Sequence, residues 1–96
     1  MLTYDQIENA AFDIAKHFPV KKISYFGSYA NGTATENSDL DMLVEFNEPI
    51  VSLLLIIDMK YRFEETLGVV TDIIHAPIPE NSIIRPDKVV CVYDAA

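Results

Sequence analysis

The chain has 96 residues, half of them hydrophobic, which allows one small domain (residues 1–96) with a single compact core. Its formal net charge of −8, from 15 acidic and 7 basic residues, argues against direct binding of nucleic acid, which favours basic surfaces. No apolar run is long enough to span a bilayer, no secretory signal is visible, and the lone cysteine offers no disulfide framework, so we expect a cytoplasmic protein with no membrane partner.

The first predicted helix begins at a capping box, in which Thr3 is the N-cap and Gln6 reaches back to it. The helix should end near His17, because Pro19 disfavours helical geometry in the residue before it. A short strand over 22–26 is predicted next.

That strand leads to Gly27, and residues 28–38 are predicted to form a turn or one helical turn followed by a loop, since they lack hydrophobic periodicity. The clearest strand covers 40–46, where every second residue is apolar and the residues between them include the acidic Asp41. One face of this strand should enter the core, and the other should present Asp39 and Asp41 on an open face.

A second helix is predicted over 52–67, with Ser52 as N-cap and Gly68 just beyond its end. Its first half, 53–57, is apolar on every side, and a chain this small can hardly cover it alone. We therefore expect part of 53–57 to face a partner or a second copy of the chain.

The remaining pattern predicts a strand over 69–74, a loop over 76–87 and a last strand over 89–93 that lies at an edge. Cys91 in this last strand is predicted to be a small core residue. The order of elements indicates an α/β (α+β) fold, in which a small mixed sheet has helices packed mainly on one side.

Asp39 and Asp41 are the first candidate site residues. For an arbitrary Asp-x-Asp pair, two solvated carboxylates are the simpler interpretation. Here the pair interrupts an apolar strand, where Asp is unfavourable, and like charges on one face repel unless a cation lies between them. Mg²⁺ is the natural cation, since it binds one or two carboxylates and completes its octahedron with water and phosphate oxygens.

Asp72 is the third candidate acid, because it interrupts an apolar strand and would be costly if buried and unpaired. If its strand neighbours 40–46, Asp72 can approach Asp41 and bind a second metal ion or take a proton from an attacking hydroxyl. Gly27 and Ser28 could present N–H groups and a hydroxyl to phosphate. Tyr29 could stack on a base or pack in the core, and the sequence does not decide between the two.

Together these residues resemble the minimal nucleotidyltransferases (MNT type) of the DNA polymerase β superfamily. The shared pattern is Gly27-Ser28, then Ser38-Asp39-Leu40-Asp41, then Asp72 in a later strand, and the resemblance extends from about Ile23 to Ile74. It implies the polymerase β-like palm fold and transfer of a nucleoside monophosphate from an NTP.

The resemblance also implies roles for individual residues. Asp39, Asp41 and Asp72 would bind one or two Mg²⁺ ions, with Asp72 helping to activate the acceptor, and Gly27 and Ser28 would hold the triphosphate of ATP. Many members carry Arg where this chain has Asn31, which predicts a weaker hold on the triphosphate.

Small members of this type, MntA-like proteins, are often antitoxins paired with a helical HEPN-type toxin, and some transfer AMP from ATP to a tyrosine of that toxin. The leading hypothesis is therefore a transferase that modifies a hydroxyl of a partner protein. Two alternatives remain open: a non-catalytic antitoxin that neutralises its partner by contact, and a subunit that senses NTP without transferring it.

Overall fold

The computed structural model describes residues 1–78 and 88–95. Three helices and four strands occur in these residues, in the order α1 (Tyr4–Ala15), β1 (Val20–Phe26), α2 (Ser28–Asn31), β2 (Leu40–Phe46), α3 (Leu53–Leu67), β3 (Thr71–His75) and β4 (Val90–Asp94). The predicted elements are all present, with ends that differ by one or two residues. Most of the loop predicted over 76–87 lies outside the described residues.

The helix ends follow the predicted capping chemistry. The hydroxyl of Thr3 accepts a hydrogen bond from the N–H of Gln6, and the Gln6 side chain accepts one from the N–H of Thr3 at 2.8 Å. At α3, the hydroxyl of Ser52 accepts from the N–H of Leu54 at 3.2 Å. Gly68 ends α3 with a φ of 74°, and its N–H donates to the carbonyl of Glu64.

The four strands form one mixed sheet in the order β3-β2-β1-β4. β1 pairs antiparallel with both β2 and β4, whereas β2 and β3 are parallel and are joined through α3. This confirms the predicted small mixed sheet, and β4 lies at an edge of the described sheet, as expected.

The core lies between one face of the sheet and the helices α1 and α3. Apolar residues of α1, β2 and α3 belong to a single buried cluster, with Met42, Met59 and Phe63 fully inaccessible. β2 alternates between buried and half-buried residues along its whole length, as predicted. The opposite face of the sheet, which bears Asp41 of β2 and Asp72 of β3, is called the acid-bearing face below.

One prediction about packing is wrong. Cys91 is exposed and is not a core residue. It pairs with Ser24 of β1, and Ser24 in turn pairs with Leu43 of β2. Because Leu43 lies on the acid-bearing face, Cys91 lies on that face too. The start of α3 is incompletely covered by the chain, as predicted: Leu53 and Leu54 are 70% and 77% exposed, while the next three residues are half-buried.

No helix within the described parts of the chain is both long and apolar enough to span a membrane.

Candidate active site

Asp41 and Asp72 lie side by side on neighbouring strands. In the parallel pairing of β2 with β3, the register places Asp41 opposite Asp72, flanked by the pairs Leu40–Thr71 and Met42–Ile73. Paired residues on adjacent strands project to the same face, and neighbouring strands are about 4.8 Å apart. The fold therefore brings together two acids that are far apart in sequence.

Asp39 lies directly before β2 and is exposed. A hydrogen-bonded turn leads into it: the N–H of Thr35 donates to the hydroxyl of Ser38 at 2.8 Å, and the N–H of Ser38 donates to the carbonyl of Thr35. This turn fixes the chain just before Asp39. Sequence reasoning did not single it out, although Thr and Ser three residues apart in a polar loop were the available signal.

The electrostatics of Asp41 show that the three acids influence one another. Burial raises the pKa of Asp41 above its ordinary value, and the negative charges of Asp72 and then Asp39 raise it further. Each of these effects disfavours the ionised carboxylate, and a bound cation would remove the repulsive part. The arrangement is thus electrostatically suited to a cation.

The acids differ from a preformed metal site. Among residues 1–78 and 88–95, no three or more His, Cys, Asp or Glu side chains are close enough together to hold a metal ion. The donor set nevertheless fits Mg²⁺ chemically, since carboxylates are the oxygen ligands this ion prefers and it commonly completes its coordination with water and substrate phosphate. Asp41 and Asp72, at paired positions on β2 and β3, are the two acids that the fold places side by side for such an ion.

Gly27 forms the corner between β1 and α2, against Asp41. Its φ of 73° and ψ of −147° belong to a region that is largely restricted to glycine. A Cβ atom at this position would lie 2.5 Å from Oδ2 of Asp41, so the carboxylate packs directly over the glycine. Ser28 follows as the first residue of α2 and is half-buried. The predicted phosphate turn and the acid pair are therefore neighbours.

Tyr29, for which the sequence left two roles open, and His75 of β3 do not join the acids. Tyr29 packs against the hydrophobic core, which favours the core alternative over base stacking. His75 lies three residues after Asp72 in β3, so it points to the other face of the sheet. Its ring packs edge-on against Phe46, with ring centroids 5.1 Å apart.

Two cavities in the described part of the chain lie away from the acids. A cavity of about 390 Å³ between α1 and α3 is lined by polar side chains that include Asp13, His17 and Arg62. A second one, of about 300 Å³, lies along the acid-bearing face beside Ser24 and Leu43. Neither is lined by Asp39, Asp41 or Asp72. Asp39 and Asp72 are exposed, and Asp41 is half-buried.

Comparison with known proteins is consistent with this geometry. Residues 7–94 match the family model described as "Nucleotidyltransferase domain". The chain is 40% identical over 78 residues to the protein adenylyltransferase MntA of Thermococcus cleftensis, covering 77% of this chain and 78% of that protein.

Solved structures show the same fold. A toxin–antitoxin complex with AMP-PNP contains a chain with a TM-score of 0.76 and 18% identity, covering 91% of this chain and 73% of that one. A tri-AMPylated Shewanella oneidensis HEPN toxin in complex with an MNT antitoxin contains another, with a TM-score of 0.72, 14% identity, and coverage of 96% and 73%.

Proposed function

The chain belongs to the nucleotidyltransferase domain family and is a nucleotidyltransferase of the protein adenylyltransferase type, and we propose that it transfers AMP from ATP, with Mg²⁺, to a hydroxyl group of a partner protein. The observation that supports this most directly is the parallel pairing of Asp41 with Asp72, beside the Gly27 corner. A carboxylate pair next to a possible phosphate turn is what metal-assisted transfer of a nucleotide requires.

In the proposed reaction the acceptor oxygen attacks the α-phosphorus of ATP in line. A phosphorus–oxygen bond forms to the acceptor, and the bond to the pyrophosphate oxygen breaks. Bound Mg²⁺ would supply charge neutralisation at the phosphate oxygens. Asp39, Asp41 and Asp72 would hold the metal, and Asp72 would also accept the proton of the attacking hydroxyl.

The triphosphate is proposed to lie at the Gly27 corner. The first N–H groups of a helix have no partner within the helix, and the hydroxyl of Ser28 adds a further donor. Because Gly27 has no side chain, a phosphate and the Asp41 carboxylate can both approach this corner closely. Asn31 ends α2 and is exposed, where an Arg would add positive charge.

We propose that the acceptor belongs to a HEPN-type toxin and that the chain acts as its antitoxin. Two of the structures with the same fold are toxin–antitoxin complexes, and the sequence relative is named a protein adenylyltransferase. The small sheet surface around the acids offers little area for recognising an acceptor, so the partner would supply much of that recognition.

A second candidate function is neutralisation of the partner by contact alone. The exposed apolar side chains before and at the start of α3 favour a docking role: Ile50, Leu53 and Leu54 are 86%, 70% and 77% exposed. The same surface could contact a second copy of the chain. These roles do not require the acids, which makes them separable by mutation.

The test is to incubate the protein with α-labelled ATP, Mg²⁺ and the proposed HEPN-type partner, and to follow both label on that partner and loss of its toxicity. Asp41→Asn and Asp72→Asn should abolish labelling. Glu48→Gln, which removes an exposed carboxylate beyond the far end of β2, should label normally. Neutralisation that persists in both Asn variants, with no label even for the wild type, would favour contact alone.

A further inference from the structure

The first residue of β3 is held by two side chains of α3. The ammonium of Lys60 donates to the carbonyl of Thr71 at 2.8 Å and to Oε2 of Glu64 at 2.7 Å. The same Glu64 oxygen accepts a hydrogen bond from the N–H of Thr71 at 2.9 Å. Both backbone polar groups of Thr71 are thus satisfied by one charged pair, which we call the Lys60–Glu64 bridge.

The bridge occupies the side of β3 that faces away from β2. The carbonyl of Val70 accepts from the N–H of Leu40 in β2. Because successive backbone groups of a strand point to opposite sides, the N–H and carbonyl of Thr71 point outward. Thr71 is fully buried, so these outward groups need partners within the protein. The Lys60–Glu64 bridge supplies them.

From this geometry we infer that the Lys60–Glu64 bridge is a positioning device that holds Asp72 beside Asp41, an inference that rests on the proposed function of these acids. Asp72 follows Thr71 directly, and its register with Asp41 depends on how β3 is rotated and aligned at Thr71. A slip of one residue would turn Asp72 toward the core face.

The acids need such a restraint because they repel one another. Asp41 and Asp72 are paired acids on neighbouring strands, and like charges placed opposite each other weaken strand pairing. The bridge fixes Thr71 from the side of β3 that faces away from β2. Lys60 also places a positive charge within electrostatic range of Asp72.

A second ion pair on the same helix gives a matched control. Asp58 and Arg62 have the same four-residue spacing as Lys60 and Glu64, with a distance of 3.8 Å between Arg62 Nε and Asp58 Oδ1. Both side chains are well exposed, and the pair lies within α3. Arg62→Met therefore removes a helix ion pair without touching the bonds to Thr71.

The experiment compares wild type, Glu64→Ala, Glu64→Gln and Arg62→Met. Binding of Mn²⁺, as a spectroscopic substitute for Mg²⁺, is measured by electron paramagnetic resonance, and amide hydrogen exchange is followed over 70–74. For AMP transfer, kcat and the KM for ATP are measured separately. Loss of a residue that orients a metal ligand typically costs 10- to 100-fold in metal affinity or activity.

We expect Glu64→Ala to weaken Mn²⁺ binding and to lower kcat by at least about tenfold, with faster exchange in β3 and little change in the KM for ATP. Glu64→Gln keeps an acceptor for the N–H of Thr71 and should recover part of the loss, while Arg62→Met should match wild type.

The inference is overturned if the Mn²⁺ affinity and the kcat of Glu64→Ala equal those of Arg62→Met, whatever the thermal stability of Glu64→Ala. If Glu64→Ala does not fold, Glu64→Gln and Lys60→Met take its place under the same criterion. Should wild type bind Mn²⁺ but transfer no AMP, the proposed function fails while the Mn²⁺ comparison still decides the role of the bridge.

Discussion

Replacement of Gly27 by alanine tests whether the Asp41 carboxylate must lie against the Gly27 corner. The new Cβ atom would be 2.5 Å from Oδ2 of Asp41, so these two atoms must move apart by about 0.9 Å to reach the 3.4 Å of ordinary contact. A misplacement of about 1 Å in a catalytic group can cost about 100-fold in rate. We therefore expect AMP transfer to fall by roughly two orders of magnitude.

The backbone adds a separate cost to this substitution. The dihedral angles of Gly27 are largely restricted to glycine, and other residues there lose about 1–3 kcal/mol of stability. Gly68→Ala is the matched control, since Gly68 also has a positive φ, of 74°, but a Cβ there would have no neighbour within 4 Å. A left-handed alanine at Gly68 should cost about 1–2 kcal/mol with no loss of transfer.

The assay is labelled AMP transfer at saturating MgATP, with urea denaturation of each variant to confirm that it is folded under the assay conditions. If folded Gly27→Ala transfers AMP as fast as Gly68→Ala, the close packing of Asp41 on this corner has no bearing on catalysis, and the reasoning is refuted.

Three further outcomes are expected. Because the pKa of Asp41 is raised, its ionised carboxylate destabilises the fold above that pKa, and Asp41→Asn should raise the Tm of the metal-free protein at pH 7. The gain in Tm should disappear below the ordinary pKa of 3.8. Mg²⁺ should raise the Tm of wild type but not of Asp41→Asn. Hydrogen bonds from Lys60 and then from the N–H of Thr71 lower the pKa of Glu64. The ionised Glu64 therefore stabilises the fold fully above the ordinary pKa of 4.5, and this stabilisation is lost as the pH falls through the lowered pKa. The Tm values of wild type and Glu64→Gln should converge in acid. Replacing Leu53 and Leu54 together by serine should change stability in urea by less than about 0.5 kcal/mol per site, yet weaken partner binding by calorimetry; unchanged binding would contradict a docking role.

Much of the placement of the candidate site residues could be predicted because its determinants are local. Alternation along β2 assigned Asp41 to the face opposite the core, and the cost of burying an unpaired carboxylate predicted an unburied Asp72 in β3. The cap residues Thr3 and Ser52 and the left-handed Gly68 set the helix ends by short-range hydrogen bonds and backbone geometry. Each of these features needs only a few neighbouring residues to be recognised.

The features that escaped prediction depend on contacts between distant segments. Cys91 was expected in the core because its neighbours are apolar, but the pairing of an edge strand, with an irregularity beside it, decides which face it occupies. The link from Lys60 to Thr71 spans eleven residues, and the only local signal was the four-residue spacing of Lys60 and Glu64 on a helix. Pairing register and side-chain bridges of this kind follow from the assembled fold.

The parallel pairing of β2 with β3 has a consequence for turnover of the protein. Any ligand that needs both Asp41 and Asp72 can bind only while two segments, separated by the whole of α3, remain paired. At a free concentration one hundred times its Kd, such a ligand adds about 2.7 kcal/mol to the free energy of unfolding. Proteases that cleave only the opened chain would then act about a hundredfold more slowly, so the lifetime of this protein would follow the supply of its ligand.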